Sequence, residues 1–585
     1  MCGIFALLNN VDNFFDTEVV NKQLNAIKNR GPESSSFTYF DDSLSIGFHR
    51  LAINGLTSIS NQPIIIDNIY LICNGEIYNH SELFDIMKIK PTTESDCEVI
   101  IHMYLLYGIE QTLKMLDGVF SFILIDKRDE TNKMFVGRDP YGVRPLYILK
   151  YHNLENDNKI YGFASEVKGL IGFKLKNHDI SSIEHFKPGT YSYFELNPES
   201  TINRWVLKTE SIKYHSTPYN TISFNDTHSG YSYSVISNIQ NFFMAAVEKR
   251  CANTDRKIAC LLSGGLDSSL VTALVKECLE SIGKDSSQLE TYSIGLAGSE
   301  DLKYAKIVAD YLQTKHTEII VTEEDFINAI PEVIYAIESY DTTSVRASIG
   351  NYLLGKYISQ HSDAKVIFNG DGSDELCGGY LYMYKCRDPI EFDKECKRLL
   401  DDIYMFDVLR SDRCISCHGL EPRTPFLDRY WVQYYLSIDP RVRFHVSNNK
   451  PEKYLLRTAF SREFFTNSKM KQILPDEVLW RTKEAFSDGV SKNNRSLYVI
   501  INEYLNNKYS QFDYNGSSFN NPTTIEQKYY RSLYNKHYNG CDELIPYFWM
   551  PKYVNATDAS ARTLDIYKTV NDSNSNNSNS EITLG

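Results

Sequence analysis

Short apolar runs broken by Gly, Asn and Asp fill the first 200 or so residues: Ile4–Leu8, Leu44–His49, Tyr70–Cys73, Phe120–Ile125, Lys133–Gly137 and Tyr191–Phe194. Runs of that length between turn formers predict strands, and their number predicts stacked antiparallel sheets. Apolar residues recur with helical spacing in Asp16–Asn29 and Asp96–Tyr107, so this part is α+β. Residues 207–235 are rich in Ser, Thr, Tyr and Asn without a sustained period and read as a linker. From 236 the pattern changes. Ile258–Leu262, Thr291–Leu296, Glu318–Val321 and Lys365–Asn369 alternate with helical stretches, a βαβ series that predicts a parallel, doubly wound α/β sheet. Beyond about 390 the chain reads as mostly helical, 505–522 as a polar, aromatic surface insertion, and 556–585, ending in NDSNSNNSNSEITLG, as a disordered tail.

Composition narrows the function classes. A chain of 585 residues is too long for one ordinary core, so two principal domains are expected, 2–206 and 236–555. A net charge of −14 with no basic stripe argues against nucleic-acid and membrane partners. No run of about 18 apolar residues predicts a membrane span, and MCGIFALLNN lacks the basic start of a signal peptide. Twelve scattered cysteines fit reduced thiols in the cytoplasm.

The chemistry begins at Cys2. A cysteine opening a strand is, by itself, better read as a small buried hydrophobe, and only its neighbours change that. If the initiator Met is removed, however, Cys2 carries a free α-amine, a base of pKa near 7.7–8.0 beside a thiol of pKa near 8.5. Attack on an amide carbonyl needs oxyanion donors, and Asn74-Gly75 offers a side-chain amide and an accessible N–H. Arg50 can fork onto an amino-acid carboxylate and Asp96 can pair with its ammonium.

MCGI at the start, RGPE at 30–33, FHRLAI at 48–53, CNGEIYNH at 73–80 and SDCEVI at 95–100 resemble, in order, the glutaminase half of the asparagine synthetase family, a class II glutamine amidotransferase with an N-terminal-nucleophile (αββα sandwich) fold. The resemblance implies Cys2 as nucleophile, Asn74 and Gly75 as oxyanion hole, and Arg50, Asn74, Glu76 and Asp96 around glutamine. Arg138-Asp139-Pro140-Tyr141-Gly142 also resembles a class II segment and is assigned a structural turn.

The second site lies in IACLLSGGLDSSLVTALV, read as strand, loop and helix. Ser263, Gly264 and Gly265 end the strand; Asp267, Ser268 and Ser269 open the helix. Glycine lets N–H groups approach phosphate oxygens, and hydroxyls and a helix N-terminus add donors. Asp267 could hold Mg²⁺ against those oxygens. Helix capping would explain one such residue, not two serines around an Asp after Gly-Gly. The segment is not a Walker loop, which needs Gly-Lys followed by Ser or Thr. A second loop, NGDGSDELCGGY at 369–380, places Asp371, Asp374 and Glu375 among glycines. An EF-hand would need Gly where Asp374 stands and Glu where Tyr380 stands. Both loops follow strands of one parallel series, so Asp267 and Asp374 are expected to meet at one Mg²⁺–pyrophosphate.

SGGLDSS resembles the pyrophosphate loop of enzymes that cleave ATP to AMP and pyrophosphate. With YSIGL, YDTTSVRAS at 340–348, NGDGSDE, RTPFLD at 423–428 and KEAFSDGV at 483–490, it continues the resemblance to asparagine synthetases. That implies ATP contacts at Leu262, Ser263, Gly264, Gly265, Asp267, Ser268, Ile294, Asn369 and Gly370, metal ligands at Asp267 and Asp374, and synthetase roles for Thr343, Arg346 and Lys483. Of the two cations, one would offset acyl-phosphate charge and the other hold an aspartate carboxylate. The family usually has Glu where Asp371 stands, near the β-aspartyl intermediate and the incoming ammonia; Asp keeps the charge and shortens the reach. Cys414-Ile-Ser-Cys417-His418 matches a haem-attachment spacing but is read as chance in a helical, cytosolic setting.

The expected enzyme thus uses glutamine, ATP, Mg²⁺ and aspartate, and a homodimer is the assembly considered. The alternatives are an amidotransferase acting on another carboxylate, which an assay with ATP and a panel of carboxylates would separate, a ring-closing relative, disfavoured by the intact Cys2, and a non-catalytic binding protein, disfavoured by intact motifs.

Overall fold

The computed structural model describes residues 1–41, 43–129, 131–154, 158–174, 180–197, 204–216, 233–446, 450–467, 471–484, 486–491, 495–509, 514 and 516–560. In the N-terminal part, the strands are β1 (Gly3–Leu8), β2 (Ser34–Asp41), β3 (Leu44–Arg50), β4 (Ile64–Ile66), β5 (Ile69–Ile77), β6 (Gly118–Asp126), β7 (Lys133–Arg138), β8 (Tyr147–Asn153), β9 (Asn158–Ala164), β10 (Ile180–His185), β11 (Thr190–Asn197) and β12 (Arg204–Lys213). They form two six-stranded antiparallel sheets, ordered β10-β8-β9-β1-β3-β2 and β12-β11-β7-β6-β5-β4.

Period-two alternation separates the layers. On β1, Ile4, Ala6 and Leu8 pack between the sheets against Ile72, Ile123 and Ile125. Phe5 and Leu7 face the other way, onto Val20 and Leu24 of helix α1 (Thr17–Ala26). Helices α2 (His80–Met87) and α3 (Val99–Met115) cover the second sheet, with Leu83, Ile100 and Met103 on Leu71, Phe122 and Leu124. The result is an αββα sandwich.

The C-terminal part runs α4 (Tyr233–Ala252), β13 (Ile258–Leu261), α5 (Leu266–Ser281), β14 (Glu290–Leu296), α6 (Glu300–Leu312), β15 (Lys315–Val321), α7 (Glu323–Ile337), α8 (Thr342–His361), β16 (Val366–Phe368), α9 (Ser373–Cys377), α10 (Pro389–Asp402), α11 (Asp407–Ser416), β17 (Glu421–Arg423) and α12 (Arg429–Ser437). Its sheet is parallel throughout, ordered β15-β14-β13-β16-β17. Ile258 and Cys260 of β13 join the core with α4 and α5, while Ala259 and Leu261 join the one with α7 and α8. Burial on both faces explains the unbroken apolar run. That second core also contains Phe5, Leu7 and Leu24, so it is continuous between the two parts.

The structure corrects four readings of the pattern. Residues 207–213, read as linker, belong to β12, because pairing with β11 and burial of Trp205 between the sheets outweigh a polar composition; residues 217–232 lie outside the described residues. β17, with Pro422 inside it, showed no strand pattern, yet proline is tolerated on this edge strand. Leu505 in 505–522 is buried on the helix Leu497–Tyr509 rather than part of a surface insertion. The stretch read as tail from 556 is packed at least to Ser560, whose hydroxyl donates to Asp488, while 561–585 lie outside the described residues. Among the described residues no helix is long and apolar enough to cross a membrane.

Candidate active sites

The first site forms where β1 and β3, paired in one sheet, face β5 of the other. The Cys2 backbone N–H donates to Asn74 Oδ1 at 3.0 Å. That bond fixes the orientation of the side-chain amide. Nδ2 is left as a fully buried donor with no partner among the described residues. Gly75 stands opposite Phe120 in the ladder, where a Cβ would lie 2.3 Å from Val119 O, so close strand packing excludes any other residue. The Cys2 thiol lies 3.7 Å from Leu51 O, and burial pushes its pKa up. Met1 is buried, with its amine 3.7 Å from Glu421 of β17.

Arg50 is buried beside this group and pairs with no carboxylate among the described residues. Its N–H groups donate to Thr57 O at 2.9 Å, Asn61 Oδ1 at 2.8 Å, Asn54 O at 3.4 Å, and Gly55 O. Glu76 accepts from Asn54 Nδ2 at 2.6 Å and Asn253 Nδ2 at 3.1 Å, with Arg423 at 3.5 Å. Asp96 accepts the Ile77 N–H at 2.6 Å. Burial, and after it the neighbouring Glu421 and Asp96, push the Glu76 carboxyl above the usual range, and burial outweighs His80 and the Ile77 N–H to raise Asp96 as well. The structure therefore gathers Cys2, Arg50, Asn74, Gly75, Glu76 and Asp96 into one neighbourhood. The segment Asp139–Gly142 is a turn in which Asp139 caps the N–H groups of Tyr141, Val143 and Arg144.

The second site is a cleft beyond the carboxyl ends of β13, β14 and β16, the position such sheets reserve for ligands. Leu262, Ser263, Gly265, Asp267, Ser268, Ile294, Asn369, Gly370, Asp371, Asp374 and Lys483 all line it, as does Thr343. Ser268 Oγ accepts the Ser263 N–H at 3.2 Å and lies 3.0 Å from Ser263 Oγ, which shapes the loop ahead of α5. Gly264 does not line the cleft. Its φ is +72°, and a Cβ would fall 2.3 Å from Ala305 N of α6, so it is required by backbone packing.

Arg346 does not face the cleft either, which corrects its expected synthetase role. Its guanidinium is buried in bidentate pairs with Glu526, at 2.5 and 2.8 Å, and Asp558, at 2.6 and 2.8 Å. Two carboxylates already neutralise it. Among the cations that do line the cleft are Lys483, whose Nζ is 2.6 Å from Asp374, and Lys453, which sequence reasoning missed. Lys453 Nζ lies 2.6 Å from Asp267 and 2.6 Å from Asp374. Burial raises the Asp374 carboxyl, but the two ammonium groups outweigh it and hold the group far below the usual range. Lys453 precedes the short helix Tyr454–Ala459 with φ 56° and carries no local motif; only the 186-residue separation closed by the fold exposes it.

Asp371 Oδ1 accepts from Arg410 of α11 at 3.1 Å, while its Oδ2 is buried without a partner among the described residues. Asn369 Nδ2 donates to Ser411 of the same helix at 2.8 Å. Cys414 of the haem-like spacing is buried within α11, its thiol 3.5 Å from Ser348 O.

The family model described as asparagine synthase matches residues 238–390 and 386–550, and one described as a glutamine amidotransferase domain matches residues 1–209. The chain is 40% identical to an asparagine synthetase [glutamine-hydrolyzing] of Cricetulus griseus over 97% of this chain and 99% of that protein. It is likewise 40% identical to one from Homo sapiens over the same shares. It is 41% identical to one from Gallus gallus, again over 97% of this chain and 99% of that protein.

Proposed function

The chain belongs to the glutamine-hydrolysing asparagine synthetase family, and on that premise we propose how its residues divide the work. Removal of Met1 would put the free α-amine on Cys2 nitrogen, beside Asn74 Oδ1. The amine then takes the thiol proton, and Cys2 Sγ attacks the side-chain amide carbon of glutamine. The oxyanion is held by Asn74 Nδ2 and the Gly75 N–H. Collapse releases ammonia with the proton returned from the amine, and water then hydrolyses the thioester to glutamate. Arg50, without a carboxylate partner of its own, receives the substrate carboxylate. Asp96 and Glu76, pushed up by burial, regain ordinary acidity when the substrate ammonium arrives.

At the second site, ATP lies with its adenosine against Leu262 and Ile294 and its phosphates over Ser263, Gly265 and Ser268. The β-carboxylate of aspartate attacks the α-phosphorus, pyrophosphate leaves, and ammonia displaces AMP from the β-aspartyl carbonyl to give asparagine. Lys453 and Lys483 offset charge on the departing pyrophosphate. Asp371, shorter than the family's usual Glu, offers Oδ2 to the incoming ammonia. Asp267 and Asp374 are near enough to share one amine, and a carboxylate pair beside phosphates suits Mg²⁺, which these two would hold. Mg²⁺ would supply charge neutralisation on the phosphate oxygens. The compartment we propose is the cytoplasm, and the assembly a homodimer.

The observation that carries the glutaminase reading is the orphaned, buried Asn74 Nδ2 beside Cys2. Mass spectrometry after incubation with amide-¹⁵N glutamine, ATP, Mg²⁺ and aspartate tests the whole scheme. ¹⁵N-asparagine, glutamate, AMP and pyrophosphate are expected; ADP in place of AMP, or unlabelled asparagine, would overturn it.

A further inference from the structure

Helix α11 meets both sites. Positions two apart on a helix lie on nearly opposite sides, and α11 uses this. On one side Arg410 and Ser411 bond to Asp371 and Asn369 of the ATP loop, at 3.1 and 2.8 Å. On the other, Asp412 and Ser416, one turn apart, face the glutaminase sandwich. Asp412 takes two bonds from Arg30, at 2.7 and 3.2 Å, and the Ser416 hydroxyl takes a third at 3.0 Å. Arg30 also donates to Glu166 at 3.0 Å, and its Nε donates to the backbone carbonyl of Cys2 at 2.9 Å. Arg30 is fully buried and Asp412 is 2% exposed.

A guanidinium is a rigid planar fork, so fixing two of its N–H directions fixes the third. The bidentate pair with Asp412 sets the plane of Arg30, and that plane aims Nε at the Cys2 carbonyl. We propose that Asp412, a residue of the synthetase half, is a positioning residue for glutamine hydrolysis, acting on Cys2 through Arg30. The glutaminase site is then incomplete without α11. Its nucleophile is registered against the same helix that holds Asp371 at the other site. The proposal rests on the assignment of Cys2 as nucleophile.

Without Asp412, Arg30 keeps Glu166 and Ser416 and stays buried, but both of those bonds are on Nη1, so the fork is no longer held at its Nη2 end and the guanidinium can pivot about Nη1. Displacement of a reacting atom by about 1 Å lowers turnover by about 100-fold. The substrate carboxylate and ammonium contacts are untouched, so kcat falls and KM does not follow.

The test uses the full-length enzyme carrying Asp412→Asn, with three readouts: steady-state glutamine hydrolysis, the rate of Cys2 alkylation by a glutamine-analogue electrophile, and asparagine formation from free ammonia. Hydrolysis kcat and alkylation rate are expected to fall together by about 10- to 100-fold, with KM for glutamine and the ammonia-dependent rate within about twofold of the parent. Asp412→Glu, which keeps a carboxylate, should recover part of the loss. Unchanged hydrolysis in Asp412→Asn, or an equal fall in hydrolysis and ammonia-dependent synthesis, overturns the proposal. If that variant does not fold, Ser416→Ala removes the 3.0 Å hydroxyl contact to Arg30 together with the 3.4 Å bond that the hydroxyl donates to Asp412; hydrolysis should still fall, about two- to fivefold, with ammonia-dependent synthesis unchanged, and no fall would be equally decisive. Failure of the parent enzyme to be labelled at Cys2 would sink the nucleophile assignment itself, and this inference with it.

Discussion

Lys453→Met removes an ammonium that two carboxylates share. The side chain is 1% exposed and its Nζ stands 2.6 Å from both Asp267 and Asp374. Methionine keeps most of the stem and none of the charge, so the two carboxylates face each other inside the cleft. Deleting one partner of a buried ion pair costs about 3–5 kcal/mol. Lys483 remains on Asp374 at 2.6 Å and offsets part of the loss, which puts the expected destabilisation near the lower end, about 3 kcal/mol. For a domain of this size that is several degrees in Tm. A divalent cation arriving with ATP would restore the missing positive charge, so Mg·ATP should raise the variant's Tm by more than it raises the parent's. Ammonia-dependent asparagine formation should fall by at least about 100-fold, while glutamine hydrolysis at Cys2 continues. Differential scanning calorimetry with and without Mg·ATP, alongside both activity assays, reads all of this. A variant that melts like the parent and synthesises asparagine at its rate would show that the shared ammonium neither holds the carboxylates together nor serves the reaction.

Three further outcomes follow from the geometry. Asn74→Ala removes the orphaned donor and should lower glutamine hydrolysis by about 10²–10³-fold while leaving the ammonia-dependent reaction intact; stopped-time glutamate release measures it, and a loss below tenfold would refute the oxyanion role. Arg346→Met leaves Glu526 and Asp558 buried without their cation, so urea unfolding should register a loss of about 3–5 kcal/mol, yet the folded fraction should keep its KM for aspartate; a raised KM would return Arg346 to the substrate. At Glu98, burial alone would raise the carboxyl, but His102 and the Thr92 and Thr93 N–H groups outweigh it and hold it down at about 2. A depressed carboxyl stabilises the fold above its unfolded value of 4.5 and loses that contribution as pH falls through about 2. The stability gap between the parent and Glu98→Gln should therefore be full at neutral pH and shrink on acidification below 4.5; a gap independent of pH in urea titrations would contradict it.

What was legible in the sequence was local. Short apolar runs between turn formers marked β1, β3, β5, β6, β7 and β11, helical spacing marked α1 and α3, and the doubly buried β13 and β14 also stood out as apolar runs. Cys2, Asn74-Gly75 and SGGLDSS stood out as candidates because each is a short local pattern that points to a chemistry. The tertiary structure decided what depends on distant partners. Arg346 read as a free cation until Glu526 and Asp558 were seen to neutralise it, 180 and 212 residues away. Gly264 read as a phosphate contact until α6 was seen packed on it. Lys453 and Asp412 lie in stretches with no motif, and their importance comes from what the fold brings to them: two carboxylates in one case, the arginine that holds Cys2 in the other. Backbone preference and side-chain periodicity act over a few residues and are written in order along the chain. The neutralisation of a buried charge is settled only by whichever group arrives beside it, and no local pattern records that.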